Sequence, residues 1–312
     1  MNMDGYIIGS AIFLIGIAGI TGNLIFLYAM WKRPEIRGKH SYLLTANCSV
    51  HVVCITFEFV NAISQMAHKQ WRRSECLNFI SFYLFLSNYQ AMMYVVIGAD
   101  MLLALFQPLR YLRLSHLPYL LLTQLPAVAF GIEHPLHAFL HRDTDDPIIF
   151  ACNPPLGTSE ATMQMWNVSN IVVSLIVLLI YAIIALKMKC QARRSDGSKA
   201  RAKLSRGVVR AAMLFSIFFS ASWFLSKIND RFAVLFPQLP KQTVEALQTY
   251  SVLPAVASFA QTYYVHLLMS RDYREAFKKC GLFGHFTCKV DKMSMTSSAF
   301  RNTHLEHSHN HL

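Results

Sequence analysis

The chain is built from long apolar runs separated by short charged loops, and that pattern limits what it can fold into. The hydrocarbon core of a bilayer takes about 20 mostly apolar residues per helix. Seven runs meet or approach that length: Tyr6 to Met30, Ser41 to Gln65, Leu77 to Phe106, Leu117 to Phe139, Trp166 to Leu186, Gly207 to Ser226 and Val244 to Met269. Lipid offers no partner to a bare peptide group, so a spanning segment is a helix or part of a closed barrel. No run alternates apolar and polar with period two over ten-residue segments, which selects helices. The expectation is an all-α integral membrane protein, a seven-transmembrane helix bundle. Its third helix is long enough to tilt, its fourth carries Pro126, Glu133 and Pro135, and its seventh is the least apolar.

Charge then orients the bundle. A net charge of +12 would suggest a nucleic-acid partner in a soluble protein, but 54% of the residues are hydrophobic and 15% charged. The basic residues also sit between apolar runs rather than over a polar surface, which argues against nucleic acid. One side of the seven runs collects 22 of the 29 Lys and Arg residues: Lys32 to Lys39, Arg110 and Arg113, nine between Lys187 and Arg210, and seven from Arg271 to Arg301. By the positive-inside tendency that side is cytoplasmic. Residues 1–5 are then an extracellular N-terminus ahead of a seven-helix domain at 6–269. The first run lacks a basic n-region and a small-residue cleavage site, so it is read as an uncleaved anchor. The expected location is the plasma membrane, with a sensory cilium as a candidate site.

Two of the seven cysteines, Cys76 and Cys152, fall on the oxidising outer side, where disulfides persist, and are expected to pair. Cys48 and Cys54 read as packing residues within the second run. Cys190, Cys280 and Cys288 are expected reduced on the cytoplasmic side.

Several motifs have an order and spacing that resemble a rhodopsin-like seven-helix receptor, and within that class the nematode serpentine chemoreceptors of the Srsx family. They are TGNLIF around Asn23, RRSEC ending at Cys76, GADMLLALFQPLRY, FACNPPL around Cys152, MWNVSN with YAII, FSASW, and AQTYYVHLLMSRDYREAF. The similarity runs from about Gly22 to Phe277, and Cys76 precedes Asp100 by the 24 positions that class keeps. The resemblance implies a G-protein-coupled receptor with an extracellular small-molecule or peptide ligand and a heterotrimeric G protein as partner. Membrane lipid and a second receptor copy are further candidate partners.

Carried over residue by residue, the resemblance places the signalling face at Asp100, Met101, Pro108, Tyr111, Tyr181 and His266. Asn23 matches the first-helix asparagine and Trp223 the sixth-helix switch tryptophan. Departures are clear. Val52, next to His51, stands where the second helix normally carries an aspartate, so neither the buried acid nor the sodium ion it holds is expected, and no cofactor is. Met101 replaces the arginine after Asp100, Leu225 the proline of the sixth helix, and Thr262 and His266 the polar pair of the seventh. Without that arginine the usual two-state charge pair cannot form, and Arg110 or Arg113 is a candidate substitute partner for Asp100.

Bundle pockets are built from facing helices, which gives Glu58, Asn61, Tyr83, Ser87, Asn167, Asn170, Trp223, Lys227, Gln248 and Ser251 as ligand-pocket candidates. Amine receptors carry an aspartate seven residues after the Cys76 position. Tyr83 stands there, so a monoamine is not expected. Ionisable groups at membrane depth usually face a cavity. Glu58 and Lys227 therefore either contact a polar ligand, or are a satisfied interior carboxyl and a lysine snorkelling to the interface. Aromatic residues such as Phe82 and Tyr94 are expected to pack. The cluster Asp143, Asp145, Asp146 either steers a cation or is a solvated loop.

On the cytoplasmic side the basic run from Lys187 to Arg210 suits anionic lipid or an acidic partner, broken by Ser195 to Ser198. Residues 270–280 read as an amphipathic membrane-surface helix, with Tyr273, Phe277 and Cys280 on one face and Cys280 a lipidation candidate. The tail, 281–312, is expected to be disordered, with Ser294, Thr296, Ser297 and Ser298 as phosphorylation candidates. Its His304, His307, His309 and His311 lack anything to fix a metal geometry. The sequons at Asn47 and Asn167 lie in or near the bilayer. Neither a phosphate-binding glycine loop nor a nucleophile-base motif is present, so no enzyme is expected. The chain also lacks the repeated halves of a transporter. The alternative to a coupled receptor is a seven-helix partner subunit with altered or lost coupling.

Overall fold

The computed structural model describes residues 3–149, 151–194, 213, 214, 216–227, 243, 247 and 249–280. Gln248, the loop residues 195–210, the start of the sixth run and the tail from 281 lie outside them, and with these Cys288, the tail serines, Thr296 and the tail histidines.

Helices follow the apolar runs. They are α1 (Met3–Lys32), α2 (Lys39–Met66), α3 (Arg73–Phe106), the short α4 (Pro108–Arg113), α5 (His116–Leu140), the one-turn α6 (Pro154–Gly157), α7 (Glu160–Arg194), α8 (Val252–Met269) and α9 (Arg271–Lys279). Between α7 and α8 the described part of 213–227 is also helical. Among the described residues five helices, α1, α2, α3, α7 and α8, are long and apolar enough to cross a membrane. At 25 residues α5 is also long enough, and it runs unbroken through Pro126 and Pro135. With the sixth segment they make an all-α seven-transmembrane bundle. Most helices extend past the apolar runs, because backbone bonding continues into the loops after the apolar residues stop.

Burial is inverted relative to a water-soluble protein. Asn23, Asn47, His51, Asn88 and Gln90 are fully buried, whereas Leu121, Leu122, Leu125, Leu175 and Leu179 are exposed around the outside. Leucines facing outward are at home in lipid tails, and interior polar groups bond across helices instead. Trp166 Nε1 donates to Asn88 Oδ1 at 2.8 Å, and Asn170 Nδ2 donates to the same oxygen at 3.2 Å, which ties α7 to α3. Glycine lets those two helices approach farther along: a Cβ on Gly98 would lie 2.7 Å from Ile180 and 3.2 Å from Tyr181.

One small sheet escapes the apolar pattern. Strand β1 (Trp71–Arg72) pairs antiparallel with β2 (Ile148–Ile149), Trp71 opposite Ile149. Two residues per strand are too few for any alternation to show in sequence.

The face of α9 chosen by periodicity is present, and the helices of the bundle receive it. Tyr273 and Phe277 are buried, with Tyr273 stacked 5.4 Å from Phe26 of α1 and its hydroxyl 2.8 Å from Ser41 Oγ of α2. Burial pushes the Tyr273 hydroxyl up to about 12, so it stays protonated. Cys280 is half-buried at the end of the same face.

Candidate functional site

At one end of the bundle Cys76 and Cys152 are disulfide-bonded, Cα to Cα 5.4 Å. The sequence around each cysteine explains the local geometry. Asn153 caps α6, its Oδ1 accepting from Leu156 N–H at 3.1 Å, and Pro154 follows at the first helical position, where no N–H is needed. On the α3 side, Arg72 N–H donates to Glu75 at 3.4 Å.

The acidic cluster is used by the fold itself. Asp146 accepts from Ser74 N–H and from Ser74 Oγ, both at 2.8 Å, and Arg73 donates to Asp143 at 2.6 Å. The Ser74 amide and hydroxyl hold the Asp146 carboxyl below the usual carboxylate range, with Arg72 and Arg73 adding to the effect. All three acids are exposed, as in a solvated loop, and two of them also pin the loop before Cys152 to the start of α3.

Beneath the disulfide two recesses open side by side. The first is lined by Phe57, Glu58, Asn61, Phe79, Ile80, Tyr83 and Cys152 to Pro154. The second is lined by Glu58, Tyr83, Pro154, Pro155, Trp166, Trp223, Ser226, Ser251, Val252 and Ala255. They hold about 220 and 300 Å³ of empty space, open mouths included. Glu58, Tyr83 and Pro154 belong to both.

Five sequence candidates, Glu58, Asn61, Tyr83, Trp223 and Ser251, therefore meet at these recesses. Glu58 is 3% exposed; Asn61 Nδ2 donates to its carboxyl at 3.2 Å and the Tyr83 hydroxyl bonds the same group. The others sit elsewhere. Ser87 is turned into its own helix, donating to Leu84 O at 3.1 Å. The Asn170 amide nitrogen is spent on Asn88 and Trp166, and both Asn170 and Asn167 are buried outside the two recesses.

Lys227 does not snorkel. It is 1% exposed, with its ammonium 2.9 Å from the Trp166 ring centroid and 5.1 Å from that of Trp223. A cation over an indole face gains from the ring quadrupole, and more when water is excluded.

The opposite end is organised by Asp100. Its side chain is 1% exposed and collects groups from three other elements. Tyr111 of α4 donates its hydroxyl at 3.0 Å, Tyr119 of α5 donates at 2.8 Å, and His40 Nδ1 of α2 lies 3.1 Å away. Lys39 braces the group, its ammonium donating to Tyr111 O at 2.5 Å and lying 4.5 Å from the Tyr111 ring. Burial and the neighbouring Asp100 push the Tyr111 hydroxyl well above its ordinary value, which keeps it a donor.

This corrects the expectation of an arginine substitute. Arg110 donates to Gln107 at 3.0 Å, and α4, which carries Arg110 and Arg113, has no buried residue. A helical turn starting at Pro108 aims Tyr111 back at Asp100 and leaves the arginines outside.

The remaining signalling-face candidates are placed as follows. Met101 is buried beside Asp100, Pro108 is exposed at the start of α4, and Tyr181 is buried against Gly98. His266 is buried with Nδ1 2.8 Å from Thr262 O and its ring against Phe26 and Tyr273. Asn23 turns to α8, donating to Phe259 O at 2.9 Å, while His51 lies 3.4 Å from Thr262 Oγ1. No group of three or more His, Cys, Asp or Glu side chains among the described residues could hold a metal ion.

Residue patterns gave no notice of His40, Lys39 or Tyr119, because each is an ordinary loop-proximal residue until the bundle closes. Asn88 and Trp166 left a fainter signal, as an amide and an indole at membrane depth that require partners.

A multi-pass helix bundle with a disulfide over its recesses at one end and a buried acidic network at the other has the build of a seven-helix membrane receptor. The chain belongs to the serpentine type 7TM GPCR chemoreceptor family Srsx, which it matches over residues 16–280. That family is one of receptors, not of enzymes. No curated protein matches the chain.

Proposed function

We propose that the chain is a chemosensory receptor of the plasma membrane, its N-terminus outside and its C-terminus in the cytoplasm. A small molecule or peptide binds at the disulfide end and biases a heterotrimeric G protein at the Asp100 end. The observation that carries this reading is the convergence of Glu58, Tyr83, Trp166, Trp223 and Ser251 from five segments on adjoining recesses under the Cys76–Cys152 bond. Aromatic walls with a few fixed polar groups are the usual make-up of a ligand site. Trp223 connects such a site to the bundle interior through Phe219, 5.9 Å away, which stacks at 3.7 Å on Tyr94. Basic residues concentrated at the other end favour that end as cytoplasmic.

Screening ligand extracts on reporter cells that express the chain tests the reading. A response that disappears in Trp223→Ala, with surface expression held, is expected. A response that survives substitution of Trp223 and Tyr83 unchanged would remove the recesses from the account.

A second reading has its own support. Met101 stands where the related receptors have an arginine, and Asp100 is occupied by His40, Tyr111 and Tyr119. A chain so built suits a partner subunit with altered or lost coupling.

A further inference from the structure

Glu58 presents a buried carboxyl whose partners, Asn61 and Tyr83, are both neutral. Among the described residues none of the ion pairs involves it. A carboxylate withdrawn from water is costly unless a proton or a cation compensates it. Glu58 lines both recesses, and so does Tyr83. The walls around it are aromatic: Phe57 and Phe79 on one side, Trp166 and Trp223 on the other. Lys227, whose ammonium lies over the Trp166 ring, lines neither recess.

We propose that the recesses bind a small organic ammonium ion, its charged nitrogen against the Glu58 carboxylate and its apolar part against the aromatic walls. This rests on the reading of the recesses as the ligand site and names the chemistry they would take. Three features point the same way. The carboxyl supplies the charge that a buried ammonium needs. Aromatic faces attract cations as well as apolar groups. Free space inside each recess is on the order of one water molecule, so a ligand enters only as side chains give way, which favours a small ion over a peptide.

The geometry also revises the argument against amines. Tyr83 does occupy the position where an acid was sought on α3, but its hydroxyl bonds a carboxyl reaching in from α2. The acid is present, one helix over, with Tyr83 holding it in place.

Thermal stability of the full-length receptor in lipid nanodiscs provides the test, with four probes of similar shape at millimolar concentration. Phenethylamine and benzyltrimethylammonium carry a positive charge, phenethyl alcohol is neutral and hydrocinnamate is negative. The two cations are expected to stabilise the wild type and the other two to leave it unchanged. Glu58→Gln should weaken cation binding by roughly 30-fold or more, the loss that follows removal of one member of a buried charge pair. Glu58→Asp should retain part of it, and serves also where the glutamine variant does not fold.

The assignment is overturned if neither cation stabilises the wild type, if phenethyl alcohol binds as tightly as phenethylamine, or if Glu58→Gln binds cations undiminished. Any of these outcomes together with a Trp223-dependent response to extracts would leave the recesses as the ligand site with a different ligand class. Loss of both would remove the site itself.

Discussion

Asp100 draws its partners from three other helices. With Met101 in the next position, the carboxylate is buried against two tyrosine hydroxyls and a histidine contributed by α4, α5 and α2. Hydrogen bonds to a charged group are each worth about 1.5–3 kcal/mol net. Tyr119→Phe should therefore lower thermal stability by roughly that amount, and Asp100→Ala by more, since it strands both hydroxyls; a melting series in nanodiscs reads both. Asp146 offers a pH test. Its carboxyl is held below the ordinary range by the Ser74 amide and hydroxyl, so its contribution is complete above about pH 4, the ordinary carboxylate pKa, and fades as pH falls below that. Melting curves of wild type and Asp146→Asn should differ near neutral pH and converge in acid. The sequence made Asp100 visible as an anchor and hid its partners. Tyr111 and Tyr119 are 11 and 19 positions away and His40 is 60, and each lies on a different helix from Asp100, so no periodicity within one element links them. Glu58 was visible for a different reason: a carboxyl at membrane depth is conspicuous in an apolar run, while the neutrality of its partners emerges only from packing.

Elements were the most legible level, because the bilayer requires one long apolar run per helix. What the runs could not specify was how closely the helices approach. A Cβ on Gly131 of α5 would meet Phe85 at 2.8 Å and the Phe85 carbonyl oxygen at 3.0 Å, so α3 and α5 touch through a position that only glycine fills without movement. Gly131→Val should separate the two helices and reduce the folded, surface-expressed fraction severalfold, whereas Gly38→Val, where an added Cβ meets nothing within 4 Å, should leave it near wild type. Periodicity found α9 and its apolar face, but not that Phe26, Ser41 and Tyr263 receive that face. Phe277→Ala removes a buried ring and should cost about 3–5 kcal/mol, visible as a lower melting temperature and faster amide exchange across α9. A helix merely floating on lipid would show no such loss.

At the scale of the whole molecule, two polar assemblies occupy opposite ends of one bundle. Between them runs an interior of aromatic contacts: Trp166 to Trp223 at 6.1 Å, then Phe219, then Tyr94, whose hydroxyl accepts from Gln261 of α8 at 3.0 Å. A ligand that moves Trp223 thus has a packed route toward the α3 and α8 interior, and coupling of this kind needs an element with two arrangements that both ends bias. The Asp100 network is the candidate for that element. The most direct measurement compares ligand-stimulated G-protein activation by the native chain and by Met101→Arg in the same reporter cells, matched for surface expression. The account predicts that the native chain responds. A response confined to the arginine variant would contradict it and make the chain a receptor-like partner subunit.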